Sequence, residues 1–132
     1  MVSVDEPTET SGQDLGAIAA IDIGTNSIHT VLARVLDRGR YEVLTREKAT
    51  VRLGSGGGDM DTLDADAIDR GIAALTRAAQ LAVERNALVV AVATSAVREA
   101  SNSKAFIRRA RDEAGVSVEV ISGVEEARLI HL

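Results

Sequence analysis

The chain has 132 residues, 45% of them hydrophobic and only 2% aromatic, a net charge of −5 and no cysteine. That length suits one domain with a core of its own, built from Ala, Val, Leu and Ile. The absence of cysteine excludes disulfides, thiolate metal sites and a cysteine nucleophile. The acidic balance and the scarcity of rings disfavour nucleic acid and anionic membrane surfaces as partners.

Residues 1–16, MVSVDEPTETSGQDLG, are acidic, hold the sole proline and lack the basic and apolar regions of a signal peptide. They read as a disordered tail. Ala17–Ile23 is a short apolar run interrupted by Asp22 and closed by Gly24, the pattern of a central strand buried on both faces. Ile28–Leu36 follows after a tight turn, so the two form a hairpin. Tyr41–Leu53 alternates apolar with charged residues, as an edge strand with one wet face does, and Asp37–Arg40 supplies the turn before it.

Gly54-Ser55-Gly56-Gly57-Gly58 reads as a mobile loop; it lacks the Lys-Ser/Thr pair of a P-loop. From Asp64 to Arg85, Ile68, Ile72, Leu75, Ala79 and Ala82 recur at helical spacing, with Asp64 as N-cap and Asn86 at the end. Ala87–Ala93 is a second central strand, far too short to span a bilayer. Ser101 or Asn102 caps a helix that runs to Ala114 and stops at Gly115. Val116, Val118 and Val120 mark a last strand, and a third helix opens near Gly123. That helix is incomplete at Leu132, which reads as a fragment of a larger protein. The order β-β-β-α-β-α-β-α predicts a mixed sheet ordered 3-2-1-4-5, an α/β fold of the ribonuclease H-like layout used by actin-like phosphate-handling domains. The protein is expected to be soluble and cytoplasmic.

Three stretches carry chemistry. In Asp22-Ile23-Gly24-Thr25-Asn26-Ser27, a carboxylate at a strand end precedes a glycine and small hydrogen-bonding residues. Backbone N–H groups there can cradle an anion, and Asp22 can hold a hydrated Mg²⁺. A capped hairpin turn with Asn26 at positive φ is the structural alternative. Residues 94–102 follow a parallel strand, where α/β sheets bind ligands, and include Ser95 and Arg98. Arg98 can grip phosphate bidentately, or pair on the surface with Glu99 or Glu113. In the third stretch, Ser122 and Glu125 form a capping box, leaving Glu126, about 100° further round the helix, as a general base or an exposed helix charge. His29, among apolar residues of the second strand, reads as a structural histidine. Arg108, Arg109 and Arg111 read as a solvated helix face.

Taken together, "AAIDIGTNSIHTVLARV", "VRLGSGGG…LDADAIDRGIAAL", "VVAVATSAVREASN" and "VEVISGVEEARLI" resemble the exopolyphosphatase and guanosine pentaphosphate phosphohydrolase family over residues 17–132. The resemblance implies an actin-like, ribonuclease H-like subdomain of an enzyme that removes the terminal phosphate of inorganic polyphosphate, or converts pppGpp to ppGpp, with Mg²⁺. It implies that Asp22, Gly24, Thr25, Asn26, Ser27, Ser95 and Arg98 bind phosphate, that Asp22 also binds the metal, and that Glu126 is the catalytic base for water. It implies a homodimeric full-length protein. The family's second phosphate loop and closing domain fall beyond this chain, so the 132 residues alone are expected to be inactive. The alternatives are a non-catalytic polyphosphate or ppGpp binder, and an ATP-binding kinase of the sugar or acetate kinase kind from the same superfamily.

Overall fold

The computed structural model describes residues 14–54, 62–94, 97 and 99–120. They comprise β1 (Asp14–Ile23), β2 (Ser27–Leu36), β3 (Tyr41–Thr50), α1 (Ala65–Glu84), β4 (Ala87–Ala93), α2 (Ser103–Arg109) continued by a π turn over Ala110–Ala114, and β5 (Val118–Val120). Residues 1–13 of the expected tail, 55–58 of the glycine loop and the third helix lie outside the described residues. The sheet runs β3-β2-β1-β4-β5, with β1, β2 and β3 antiparallel and β1, β4 and β5 parallel. This is the expected ribonuclease H-like order.

One face of the sheet makes the core. Ile21, Ile23 and Ile28 pack with Ile72 and Leu75 of α1 and with Phe106 of α2, all buried. α1 begins where expected: the Asp64 carboxylate accepts the Ala67 N–H at 3.0 Å, capping an otherwise unpaired donor. Gly71 allows α2 to approach α1, since a Cβ there would lie 3.3 Å from Cε1 of Phe106. At the end of α2 the N–H groups of Gly115 and Val116 both turn back to Ala110 O, and Gly115 takes φ +71°, the left-handed stop that glycine adopts without strain.

Several boundaries differ from the sequence reading. β1 starts at Asp14, and Gly16, at φ +108°, sits in an irregularity of its register with β2. β3 stops at Thr50 because the next two N–H groups leave the ladder for the turn after β1, and Arg52 takes φ +55°. The strands read as buried on both faces are covered on one only, among the described residues: Leu88 is 69% and Val90 41% exposed, and Ala20 is exposed. Their apolar runs are long enough to look doubly buried, but both described helices pack on the opposite face.

Asn102 does not cap α2 with its side chain. Instead its Oδ1 accepts the Leu63 N–H at 2.8 Å and its Nδ2 donates to Leu63 O at 3.0 Å, fastening the approach to α1 against the start of α2. Arg109 forms a surface pair with Glu113 at 2.7 Å and reaches Asp69 on α1 at 2.9 Å. The arginine-rich face is thus a solvated, ion-paired one, as expected. Within it, the Arg109 guanidinium holds the Glu113 carboxyl below its usual range, chiefly by hydrogen bonding.

Two outcomes follow from these contacts. Asn102→Ala strands both backbone groups of Leu63 and is expected to cost about 1–3 kcal/mol in chemical denaturation; Asn102→Asp keeps the acceptor and loses less. Because Glu113 has a lowered folded-state pKa, its contribution is present above the unfolded value and fades as pH falls through the folded one. Glu113→Gln should therefore lower Tm at neutral pH and leave it unchanged at the acid end, where both proteins carry a neutral side chain.

Candidate functional site

The site is assembled by strand ends. Asp22 and Ile23 pair in register with Val92 and Ala93 of β4, and the Thr94 N–H donates to Ile23 O at 3.1 Å. The stretch 94–102 thus leaves the sheet directly beside the turn that follows β1. Val120 pairs with Ala93, so β5 ends on the next strand at the same edge. Neighbouring strands lie about 4.8 Å apart, which places all three exits within roughly 10 Å. This edge holds the carboxyl ends of the parallel strands, where open α/β sheets bind their ligands.

The turn itself is tightly built. Gly24 N–H donates to Ser27 O at 3.0 Å and closes the hairpin; a Cβ on Gly24 would lie 3.3 Å from that oxygen. The segment after β3 wraps it from below: Val51 and Arg52 N–H both donate to Asn26 O at 2.9 Å, and Gly54 N–H to Thr25 O at 3.2 Å. Val51 and Leu53 anchor that segment in the core, and Arg70 of α1 clamps it by donating to Val51 O at 3.0 Å. The carbonyls of Thr25 and Asn26 are thereby occupied, whereas their N–H groups donate to no described residue. Among the described residues the open donors of the turn are those of Thr25 and Asn26, and Gly24 is committed to Ser27. Asn26 does not take positive φ, so the simple capped-turn alternative is not the geometry adopted; its Nδ2 reaches Ser27 Oγ at 3.4 Å.

Asp22 lies half-buried on the sheet face away from α1. Its Oδ1 is buried and has no hydrogen-bond partner among the described residues. A carboxylate oxygen removed from water normally finds a donor, so this one is an open acceptor on the strand that leads into the turn. A hard cation with oxygen ligands fits it. Among the described residues no three of His, Asp and Glu gather into a metal cage, so a cation at Asp22 would draw other oxygens from ligand or water.

Among the other expected site residues, Ser95, Arg98 and Glu126 lie outside the described residues. The surface partner considered for Arg98, Glu113, is taken by Arg109. His29 departs from the structural reading: it is exposed and stands opposite Asp22 in the β1–β2 register. Sequence reasoning also missed the 51–54 segment as the support of the turn. Its signal was there, in the break of alternation where Val51 and Leu53 flank an arginine before a glycine.

The order of strands and the parallel pair at the centre define an α/β domain of the ribonuclease H-like, actin-like class. A family model sharpens this: that of the Ppx/GppA phosphatase family matches residues 31–132. The chain belongs to that family. An Aquifex aeolicus Ppx/GppA family member shares 32% identity with a TM-score of 0.79 over 86% of this chain and 37% of its own length. An exopolyphosphatase from Cytophaga hutchinsonii shares 36% identity with a TM-score of 0.78, over 86% of this chain and 36% of its own. The chain therefore spans a little over a third of those structures. RuvC of T. thermophilus, at 14% identity and a TM-score of 0.51, shares the fold alone.

The unpartnered oxygen has an energetic consequence. Asp22→Asn replaces a desolvated charge with a neutral isostere and is expected to raise stability in the absence of ligand by about 1 kcal/mol, read from denaturant midpoints.

Proposed function

We propose that the full-length protein hydrolyses the terminal phosphoanhydride of a polyanionic phosphate substrate, inorganic polyphosphate or pppGpp, and that the 132 residues alone are inactive or nearly so. The observation that carries this reading is the Asp22 Oδ1 acceptor, buried and without a partner among the described residues, on the strand leading into a turn whose Thr25 and Asn26 N–H groups donate to no described residue. Family membership supports it, as does the adjacency of the β1, β4 and β5 ends at one sheet edge.

In this mechanism the amides of Thr25 and Asn26, the hydroxyls of Thr25 and Ser27, Ser95 and the Arg98 guanidinium bind oxygens of the terminal phosphate. Gly24 contributes by its lack of a side chain, which lets the hairpin close. Asp22 would hold Mg²⁺, and the bound cation supplies neutralisation of charge that grows on phosphate oxygens. Glu126 accepts a proton from, or orients, the attacking water. Arg98 and the amides favour the transition state because its charge is spread over the oxygens they face. The protein is proposed to act in the cytoplasm as a homodimer.

The decisive experiment uses the full-length gene product with polyphosphate and pppGpp in parallel. Glu126→Gln is expected to lower kcat by about 10²–10⁴-fold while leaving KM within a few-fold. Unchanged turnover removes Glu126 from this role, and a wild-type protein that releases no phosphate from either substrate refutes the enzyme reading. Relative kcat/KM on the two substrates fixes which is preferred.

A further inference from the structure

The segment that supports the turn after β1 is itself held from outside. Val51 has its side chain buried in the core, and its N–H donates to Asn26 O at 2.9 Å. Its own carbonyl accepts from Arg70 of α1, from Nη2 at 3.0 Å and from Nε at 3.3 Å. The next residue, Arg52, takes φ +55°, a left-handed backbone that a residue with a side chain keeps only where its surroundings impose it. On the far side Leu53 O accepts the Asp64 N–H at 3.0 Å, which ties the segment to the residue that caps α1.

Arg70 has an ordinary alternative. It stands four positions after Asp66 on α1, the spacing at which an acid and a base on an exposed helix face pair. Among the described residues that pair is not made, and the polar contacts of Arg70 both go to Val51 O. The neighbouring arginines behave differently: Arg77 pairs with Glu47, and Arg109 with Glu113 and Asp69. A guanidinium that passes over a carboxylate on its own helix for a main-chain oxygen acts on the backbone. Its charge makes that bond stronger than one from a neutral donor.

The effect reaches the turn through rigid peptide planes. Thr25 O and the Asn26 N–H belong to one plane, so the bond from Gly54 N–H to Thr25 O also aims the Asn26 amide. Val51 and Arg52 fix the following plane through Asn26 O. An amide aimed before the ligand arrives stabilises developing charge at no reorganisation cost.

We propose that Arg70 is a positioning residue for the phosphate site: by clamping Val51 O it keeps the 51–54 segment, and through it the turn's amides, in the arrangement the terminal phosphate requires. This rests on the function proposed above and adds to it a residue that acts without touching substrate.

The test uses the full-length protein, with whichever of polyphosphate and pppGpp it hydrolyses, in Arg70→Met, Arg70→Lys and, as control, Arg77→Met. Phosphate release and amide hydrogen exchange over residues 49–54 are read together. Arg70→Met is expected to lower kcat about three- to tenfold with KM within about twofold, and to speed exchange of the Val51, Arg52 and Gly54 amides about tenfold, while exchange in β1 stays at the wild-type rate. Arg70→Lys keeps a single charged donor and falls between wild type and Arg70→Met. Arg77→Met leaves kcat and the exchange of that segment unchanged, whatever it does to Tm. Unchanged kcat in Arg70→Met overturns the positioning role, and so does a loss of kcat with unchanged exchange or one that Arg77→Met reproduces. If the wild-type protein releases phosphate from neither substrate, it is the underlying function that fails, and exchange then decides the clamp by itself. Faster exchange confined to the 51–54 segment supports it, and unchanged exchange overturns it.

Discussion

The parallel pairing of β1 with β4 is the constraint on which the rest depends. It sets Asp22 beside Val92 and lets the Thr94 N–H reach Ile23 O, so two distant stretches leave the sheet as neighbours. β1 is the strand that joins the antiparallel hairpin half to the parallel half. Its carboxyl end therefore receives support from both: the 51–54 segment from one side and the exit of β4 from the other. A phosphate site needs donors held in place before the ligand arrives, because donors that must reorganise contribute less to stabilising developing charge. The hydrogen bonds from Val51, Arg52 and Gly54 supply that rigidity by fixing the turn's carbonyls, while the Thr25 and Asn26 amides donate to no described residue.

Much of this was legible in the sequence because it rests on local rules. Ala87–Ala93 and the capped helix after Asp64 were read to within a residue, since an apolar run and an N-cap need no knowledge of their neighbours. The sheet order followed from the handedness of crossovers. What escaped was non-local. Leu88 and Val90 look buried because their chemistry is apolar, but which face a helix covers is decided by the connections. Asn102 looked like a cap because Asn caps helices; its amide instead serves Leu63, 39 positions away in sequence. Likewise His29 sits among apolar neighbours along the chain, while across the sheet its neighbours are Asp22 and Lys48.

Asp22 illustrates how a site departs from the rules that shape a core. Folding alone favours an apolar residue or a satisfied polar one at such a position. An open carboxylate oxygen there is a local conflict, of the sort that marks function in an otherwise consistent sequence.

The register of β1 also bears on how such a chain tolerates changes in length. Side chains alternate faces along a strand, so gaining or losing one residue within Ala17–Ile23 would turn Asp22 into the core and bring Ile21 or Ile23 out. The turn at Gly24–Ser27 has no slack either, since three backbone donors from the 51–54 segment converge on two of its carbonyls. The Asp37–Arg40 turn lies at the other end of the hairpin, exposed and remote from the carboxyl ends of the parallel strands. Insertions and deletions in relatives of this chain should therefore collect there, making that turn the hypervariable end of a hairpin whose opposite end cannot change length.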